Sequence, residues 1–207
     1  MQVNRSLRVI APTVSADVLG VLAGAEASFT PPEIHRLLGE HSVDGVRRAL
    51  HGLVEQGIVR PARSGNAVRY ELNRQHLAAP SVLALARLRD VLIERLQRRI
   101  EGWATQCTSA ALFGSAATAS MRPDSDIDLF VVRPNAVTVD DRVWRRQIDS
   151  LEAKVAAWTG NDVRTLEYDE DEVAAGVRAG DRVLADIRDR GVLLAGSRER
   201  WGAGHER

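Results

Sequence analysis

The sequence predicts an α+β protein of two modules joined by a long helix, and three observations lead to this fold class. In the first quarter of the chain, apolar residues recur at helical spacing in three successive segments, and a hairpin pattern follows them. A single amphipathic stripe comes next. Predicted strands then alternate with helices, which indicates a small α/β layer with a mixed sheet. The predicted divisions are residues 1–79, 80–104 and 105–207.

The composition allows two small domains and excludes some kinds of site. Hydrophobic residues make up 44% of the 207 residues, which is enough for packed cores. The formal net charge is +0, so any contact with nucleic acid must come from a local patch. Cys107 is the only cysteine, which excludes an intrachain disulfide and a cysteine-cluster metal site. With no signal peptide or membrane-length apolar segment, we expect a cytoplasmic protein without a membrane partner.

The first module shows three helices with clear start and stop signals. The first is predicted over Ser15–Ala25 from its apolar face. Thr30 is an N-cap, and Glu33 stands three residues later, which is the spacing of a capping box. Ser42 is expected to cap the third helix at its start, and Gly57 to end it.

Two short strands are predicted after the third helix, around the turn Ser64-Gly65-Asn66. Three helices followed by a hairpin resemble the winged helix-turn-helix domains of bacterial transcription regulators. The resemblance implies that the third helix binds the major groove of double-stranded DNA, and that the protein acts as a homodimer. The alternative interpretation is an exposed polar face that serves protein contacts. The expected DNA-binding residues are Arg47, Arg48, His51, Arg63 and Arg69.

The segment between the modules predicts one long amphipathic helix from Pro80 to Trp103. Leu88, Leu92 and Leu96 belong to its apolar stripe, and arginines lie between them. The stripe is broader than a spacer needs, so we expect it to pack on both modules or on a second copy of itself.

Two aspartates stand on the second predicted strand of the C-terminal module. Asp126 and Asp128 are two residues apart, so their side chains share one face of a strand, while Ile127 and Leu129 point into the core. Two neighbouring carboxylates repel each other unless a cation lies between them, and Mg²⁺ prefers such oxygen ligands. The pair is therefore a candidate site for Mg²⁺ (or Mn²⁺).

A Gly-Ser turn precedes the aspartates by ten residues. Gly114 follows a predicted strand and lets the backbone approach a ligand. Ser115 begins a short helix, and its hydroxyl and the nearby N–H groups suit a phosphate. Residues 116–125 are enough for that helix and a return loop, so the turn and the carboxylates can converge on one triphosphate.

Gly-Ser, ten residues and then Asp-x-Asp resemble the nucleotidyltransferase superfamily of DNA polymerase β, and its minimal members in particular, over about residues 107–195. The resemblance implies that Gly114 and Ser115 bind the phosphates of an NTP. It implies that Asp126 and Asp128 bind the metal and are catalytic, in transferring a nucleoside monophosphate to a hydroxyl. Minimal nucleotidyltransferases often belong to toxin–antitoxin pairs, so the resemblance also implies a toxin as protein partner.

The sequence departs from that family's pattern in two places. Thr118 and Ala119 stand where relatives carry Arg and Gly. The stretch DVRTLEY matches the strand that usually supplies a third carboxylate, and it places Arg164 at that position. Asp162 and Glu167 are the two residues that could supply the third carboxylate instead. We expect Glu167 to be the third catalytic carboxylate because it lies inside the predicted strand. The alternative is that Glu167 is only a surface carboxylate.

Three functions remain open at this point. The first is an active nucleotidyltransferase that the winged helix directs to DNA, with a protein, a nucleic acid or a small molecule as acceptor. The second is a transcription regulator whose transferase fold only senses a nucleotide. The third is a scaffold or antitoxin that binds a partner through the long helix. The sequence predicts a DNA-binding regulator with a Mg²⁺ and NTP site, and the departures at Arg164 and Thr118 leave transfer activity open.

Overall fold

The chain forms two compact units in a computed structural model that describes residues 1–65, 67–118 and 120–201. One unit is residues 5–89, and the other combines residues 1–4 with the chain from residue 90 onward. The division falls inside the predicted linker helix. Asn66, in the predicted turn, and Ala119, one of the departures from the family pattern, lie outside the described residues.

Residues 5–89 contain helices around one apolar cluster, followed by an antiparallel hairpin. The order of helices and hairpin is the predicted one, and the winged-helix resemblance itself stays a prediction. Thr30 and Glu33 form the predicted capping box, and the Ser42 side chain caps the third helix. The segment Val3–Val9 precedes them as 3₁₀ turns that are interrupted at Arg5 (φ −130°, ψ 52°), and it begins in the other unit. The elements that follow it are α1 (Val14–Ala23), α2 (Pro31–Leu38), α3 (Val43–Glu55), β1 (Val59–Ser64), β2 (Ala67–Leu72) and α4 (Ala79–Ala86).

The predicted single helix from Pro80 to Trp103 is two helices, so that prediction is wrong. α4 ends before Arg87, which leaves the helical conformation at φ −92° and ψ 8°. α5 (Leu88–Glu101) follows at once. Each helix packs within its own unit: Ala79 belongs to the apolar cluster of residues 5–89, whereas Leu96 is in the core of the other unit.

The second unit is built on a mixed sheet, as predicted. In the described part of the chain, four strands pair in the order β5-β4-β3-β6, with β4 parallel to β5 and β3 antiparallel to both β4 and β6. Besides α5, the elements are β3 (Ser109–Phe113), α6 (Gly114–Ala117), β4 (Ile127–Arg133), α7 (Arg142–Thr159), β5 (Val163–Asp169), α8 (Glu170–Ala179), α9 (Arg182–Arg190), β6 (Val192–Ala195) and a 3₁₀ helix, Arg198–Trp201.

Alternate residues of β4 pack into two separate cores on the two faces of the sheet. Leu129 packs with Leu96 of α5 and Trp144 of α7. Phe130, the next residue, packs with Leu184 of α9 and with neighbours from α8. Gly180, with φ +71°, ends α8 and separates it from α9. No helix in the described segments has the length and apolar character that a membrane span requires.

Candidate functional site

Asp126 and Asp128 lie at the start of β4, one of the two inner strands in the order β5-β4-β3-β6. Asp128 is opposite Phe113 of β3 and Arg164 of β5, and Asp126 directly precedes the strand. Ile127 is fully buried in the core that also contains α5 and α7. Because side chains alternate along a strand, the two carboxylates lie on the opposite face, the one that α8 and α9 cover.

The Gly114 backbone lies directly against the Asp128 carboxylate. Gly114 follows β3 and has φ +66°, a conformation that side chains other than glycine rarely adopt. A Cβ at this position would overlap Asp128 Oδ2 and lie 3.2 Å from Cγ. Ser115 follows as a half-buried residue of α6, and Thr118 Oγ1 donates to the Gly114 carbonyl at 3.0 Å. The Gly-Ser turn and Asp128 therefore meet, as the spacing predicts.

The charges around the aspartates include one cation from the chain itself. Arg164 Nε lies 2.7 Å from Asp126 Oδ2. Burial raises the pKa of Asp128, the negative charge of Asp126 raises it further, and the positive charge of Arg164 opposes both effects. The position that the family resemblance assigns to a third carboxylate thus holds an arginine that pairs with Asp126.

Glu167 does not join the pair. It is three residues along β5 from Arg164, so its side chain lies on the opposite face of the sheet. There it accepts hydrogen bonds from Arg133 Nε at 3.1 Å and Trp144 Nε1 at 2.9 Å, and it also pairs with Arg145. This placement does not fit the expected role as the third catalytic carboxylate. The contacts instead attach β5 to α7.

No other acid completes the site among the residues that the structure describes. Asp162 is exposed, and its backbone carbonyl accepts a hydrogen bond from the Ile127 amide at 2.8 Å. Within the described ranges, only Asp17, Glu40 and His41 form a group of three or more potential metal-binding side chains with ligand atoms within 4.8 Å of one another. That group lies in the other unit.

The Asp17 group is better described as an ion-pair network than as a metal site. Arg8 Nη2 lies 2.5 Å from Asp17 Oδ2, and His41 Nε2 lies 2.7 Å from the same oxygen. Arg5 pairs with Glu40. Burial favours a higher pKa for Asp17, but hydrogen bonds from Arg8 and His41 and the charges of both arginines outweigh it and hold the pKa below its usual value. Because the Asp17 side chain is only 1% exposed and Arg8 and His41 hold its oxygens, a metal ion and its water ligands have no access to it.

Asp126 and Asp128 fit one divalent cation. They present carboxylate oxygens on one face, and a hard cation such as Mg²⁺ completes its shell with water and substrate phosphates. Among the described residues no third carboxylate joins them to hold a second cation, and Arg164 lies 2.7 Å from Asp126 Oδ2.

The predicted DNA-binding residues have different surroundings. Arg47, Arg48 and His51 are exposed on α3, and Arg63 is exposed on β1. Two of them make exposed ion pairs along the helix, Arg47 with Asp44 and His51 with Glu55.

Arg69 differs because its guanidinium is used inside the unit. It donates to the Ser28 carbonyl at 2.5 Å and to Ser28 Oγ at 3.1 Å, and it lies 3.1 Å from Glu33 Oε2. These bonds connect the hairpin to the start of α2. Arg69 therefore does not fit the outward role that the sequence predicts for it.

Sequence reasoning missed two interactions of the second unit. One is the Arg164–Asp126 pair, which depends on the register between β4 and β5. The other is Arg133, 9% exposed at the end of β4, which binds Glu167. The sequence does contain a signal for the Arg133–Glu167 pair, because Arg133 ends the apolar run DIDLFVVR and a buried arginine needs an acidic partner.

Comparison with known proteins supports the nucleotidyltransferase resemblance for part of the chain. Residues 90–175 match the family described as "Nucleotidyltransferase domain", a range that includes both aspartates and the Gly-Ser turn. No curated protein matches the chain. The comparisons do not bear on the winged-helix resemblance.

Two solved structures of toxin–antitoxin proteins are similar to about half of the chain. One is a mutant of the toxin–antitoxin MntA-HpeT, with 18% identity and a TM-score of 0.37 over 53% of this chain and 77% of that chain. The other is a toxin–antitoxin with AMP-PNP, with 21% identity and a TM-score of 0.34 over 53% of this chain and 75% of that chain.

Proposed function

We propose that the protein is a DNA-binding regulator whose second unit binds a nucleoside triphosphate together with a divalent cation at Asp126 and Asp128. One observation carries this proposal. The two carboxylates share a face of the sheet, and the Gly114 backbone lies against one of them. The same segment matches the nucleotidyltransferase domains.

The chemistry of the bound state follows from the residues at the site. Asp126 and Asp128 hold the cation, Mg²⁺ or Mn²⁺, which neutralises phosphate charge when it is bound. Gly114 leaves room for a phosphate to approach the backbone, and Ser115 offers its hydroxyl. Binding is better supported than transfer, because Glu167 lies on the other face of the sheet and Arg164 takes the third carboxylate's place.

The first unit supplies the DNA-binding part of the proposal. Arg47, Arg48 and His51 lie exposed on α3, where they can contact a major groove, and Arg63 lies exposed on the hairpin. Arg69 positions that hairpin through Ser28 rather than contacting DNA. Because one such module makes few contacts with DNA, we propose that the regulator acts as a homodimer.

A second candidate function is transfer of a nucleoside monophosphate to a hydroxyl of a protein or nucleic acid. The match of residues 90–175 to nucleotidyltransferase domains favours it. A toxin protein is the proposed partner and acceptor, on the resemblance of the Gly-Ser and Asp-x-Asp motif to minimal nucleotidyltransferases. This function requires a proton acceptor for the attacking hydroxyl other than Glu167.

Labelled nucleotides distinguish the two functions. The full chain is incubated with each α-³²P-labelled NTP and Mg²⁺ or Mn²⁺, with host lysate as acceptor source. Bound label is measured on filters and covalent label on denaturing gels. The proposal predicts filter-bound label that disappears in the Asp126→Asn/Asp128→Asn double variant, and that persists in Asp140→Asn, which changes an exposed carboxylate elsewhere.

The two readouts separate the outcomes. Gel-stable label that requires both aspartates would replace the proposed regulator with the transferase. Absence of filter-bound label with every NTP would contradict both functions and leave the antitoxin or scaffold alternative.

A further inference from the structure

The parallel pairing of β4 and β5 brings three charged side chains to one end of the sheet. Asp128 is directly opposite Arg164 in the register, and Asp126 stands two residues before Asp128 on the same face. Arg164 Nε lies 2.7 Å from Asp126 Oδ2, so one oxygen of the candidate metal site already has a cationic partner from the chain.

We propose that Arg164 takes the place of a second metal ion. The site then binds one divalent cation per nucleotide, and Arg164 provides a fixed positive charge for the phosphates. This inference rests on the proposed nucleotide binding and deepens it, because it assigns the ion count and names a phosphate-binding residue.

The ion count follows from the ligands and charges at the site. Two-metal sites hold their ions about 3.5–4 Å apart, with oxygen ligands shared between them. Here the described residues offer no third acidic, histidine or cysteine ligand close to Asp126 and Asp128. A second dication would also lie beside the Arg164 guanidinium and be repelled by it.

The phosphate role follows from the exposure and chemistry of Arg164. Its side chain is 77% exposed, whereas the Asp126 side chain is 24% exposed. The guanidinium can therefore turn from Asp126 to a neighbouring phosphate without disturbing the core. Guanidinium groups bind phosphate through two parallel N–H donors, and they remain charged at all physiological pH values. Asp126 is then free to bind the single cation.

Counting bound Mn²⁺ tests the ion count without measuring activity. Free Mn²⁺ is followed by electron paramagnetic resonance while the full chain is titrated with Mn²⁺ and a non-hydrolysable NTP analogue. The wild type is expected to bind one Mn²⁺ per nucleotide, and Arg164→Asp two, because the substitution removes the competing cation and adds a carboxylate. Arg146→Asp, the same charge change at an exposed position of α7 across the sheet, is expected to bind one.

A second measurement tests the phosphate role and does not depend on the charge-reversed variant. Nucleotide affinity is measured at saturating Mg²⁺, where the cation site is filled in every variant. Arg164→Gln is expected to bind about tenfold more weakly than the wild type, because it removes the positive charge and the paired N–H donors of the guanidinium. Arg164→Lys keeps the positive charge and is expected to retain most of the affinity.

The outcomes separate this inference from the function on which it rests. Two Mn²⁺ ions per nucleotide in the wild type, one in Arg164→Asp, or unchanged affinity in Arg164→Gln would overturn the inference while nucleotide binding stands. A wild type that binds no nucleotide with or without Mn²⁺ would overturn the proposed function itself.

Discussion

Gly114 and Asp128 form a close approach between backbone and carboxylate in the candidate site. The positive φ of Gly114 turns the chain after β3, and the missing side chain leaves room for the Asp128 carboxylate. Any side chain at this position would displace a residue that we expect to bind the metal. The glycine is therefore required for two independent reasons, its conformation and the space beside it.

Gly114→Ala is expected to destabilise the second unit more than Gly160→Ala. Both glycines have positive φ, +66° and +69°, so both substitutions carry a backbone cost of about 1 kcal/mol. A Cβ at Gly160 meets no atom within 4 Å, whereas at Gly114 it overlaps Asp128. The Asp128 carboxylate must therefore move in Gly114→Ala, which should cost about 1 kcal/mol more than Gly160→Ala.

Urea unfolding followed by tryptophan fluorescence reports on the second unit of the chain, because all four tryptophans lie between residues 103 and 201. Equal losses of stability in the two variants would show that the Asp128 carboxylate does not need the space that Gly114 leaves.

Asp17 is the buried charge on which the ion-pair network of residues 5–89 depends. Its side chain is 1% exposed and contacts Arg8 and His41. Removing the Asp17 charge leaves the partly exposed Arg8 with only Glu40, at 3.5 Å, as an acidic partner, which should cost about 2–3 kcal/mol. The network connects the start of the unit to α1 and to the residues after α2, so its loss should destabilise all three segments.

Asp17→Asn is expected to lower the free energy of unfolding of residues 5–89 by about 2–3 kcal/mol at neutral pH. Asp44→Asn removes a carboxylate that is 82% exposed and should change it by less than about 1 kcal/mol. Urea unfolding followed by circular dichroism measures both. A similar effect of the two substitutions would contradict the account of the network.

The pH dependence of the same unit follows from the lowered pKa of Asp17. A carboxylate whose pKa is lower in the folded protein makes its full contribution to folding stability above its pKa in the unfolded chain, about 3.9. That contribution is lost as the pH falls through the pKa of the folded state. The wild type should lose this stability below about pH 4, and Asp17→Asn should lose less over the same range. Parallel pH profiles for both proteins would contradict the assignment.

At the scale of elements, β5 shows what the sequence can and cannot predict about the site. Alternation along β4 correctly predicts that Ile127 is buried, away from the carboxylates. The same rule applied to β5 separates Arg164 from Glu167, but it does not say which of them faces the aspartates. That depends on the register with β4, and register is set by pairing between segments distant in sequence.

The helices show the same division between local and distant causes. The capping box of Thr30 and Glu33 is predictable because its bonds join residues three apart. The break at Arg87 is not, since the apolar periodicity continues through it. Its cause is tertiary: the residues before and after Arg87 pack into different cores.

The arginines exposed on α3 allow a test of the proposed DNA binding. Arg47→Ala/Arg48→Ala is expected to weaken binding to double-stranded DNA. The slope of affinity against salt should fall by about one for each phosphate that the variant no longer neutralises. Arg69→Ala should instead lower the stability of residues 5–89, because its guanidinium binds Ser28 and Glu33.

Fluorescence anisotropy at several salt concentrations, together with urea unfolding, separates the two effects. Arg74→Ala is the matched control, because it removes an arginine that pairs with Glu26 outside α3 and the hairpin. Equal loss of DNA affinity in Arg74→Ala and the α3 variant would contradict a specific role for α3.

At the scale of the whole molecule, the chain combines two units that each have a core and a candidate function. The net charge of +0 provides no general attraction to nucleic acid, so the proposed DNA binding would depend on the local arginines of the first unit. The second unit places two carboxylates, a glycine turn and one arginine at a single end of its sheet. Nucleotide binding at this end is the central claim, and DNA binding is a separate one.

Isothermal titration of the full chain with ATP and Mg²⁺ tests the central claim most directly, with the other NTPs in parallel. The wild type is expected to show saturable binding of one nucleotide per chain to at least one NTP. The Asp126→Asn/Asp128→Asn variant should lose it while its thermal unfolding stays cooperative. Binding that survives in the double variant, or no binding of any NTP to the wild type, would contradict a nucleotide and metal site at these two aspartates.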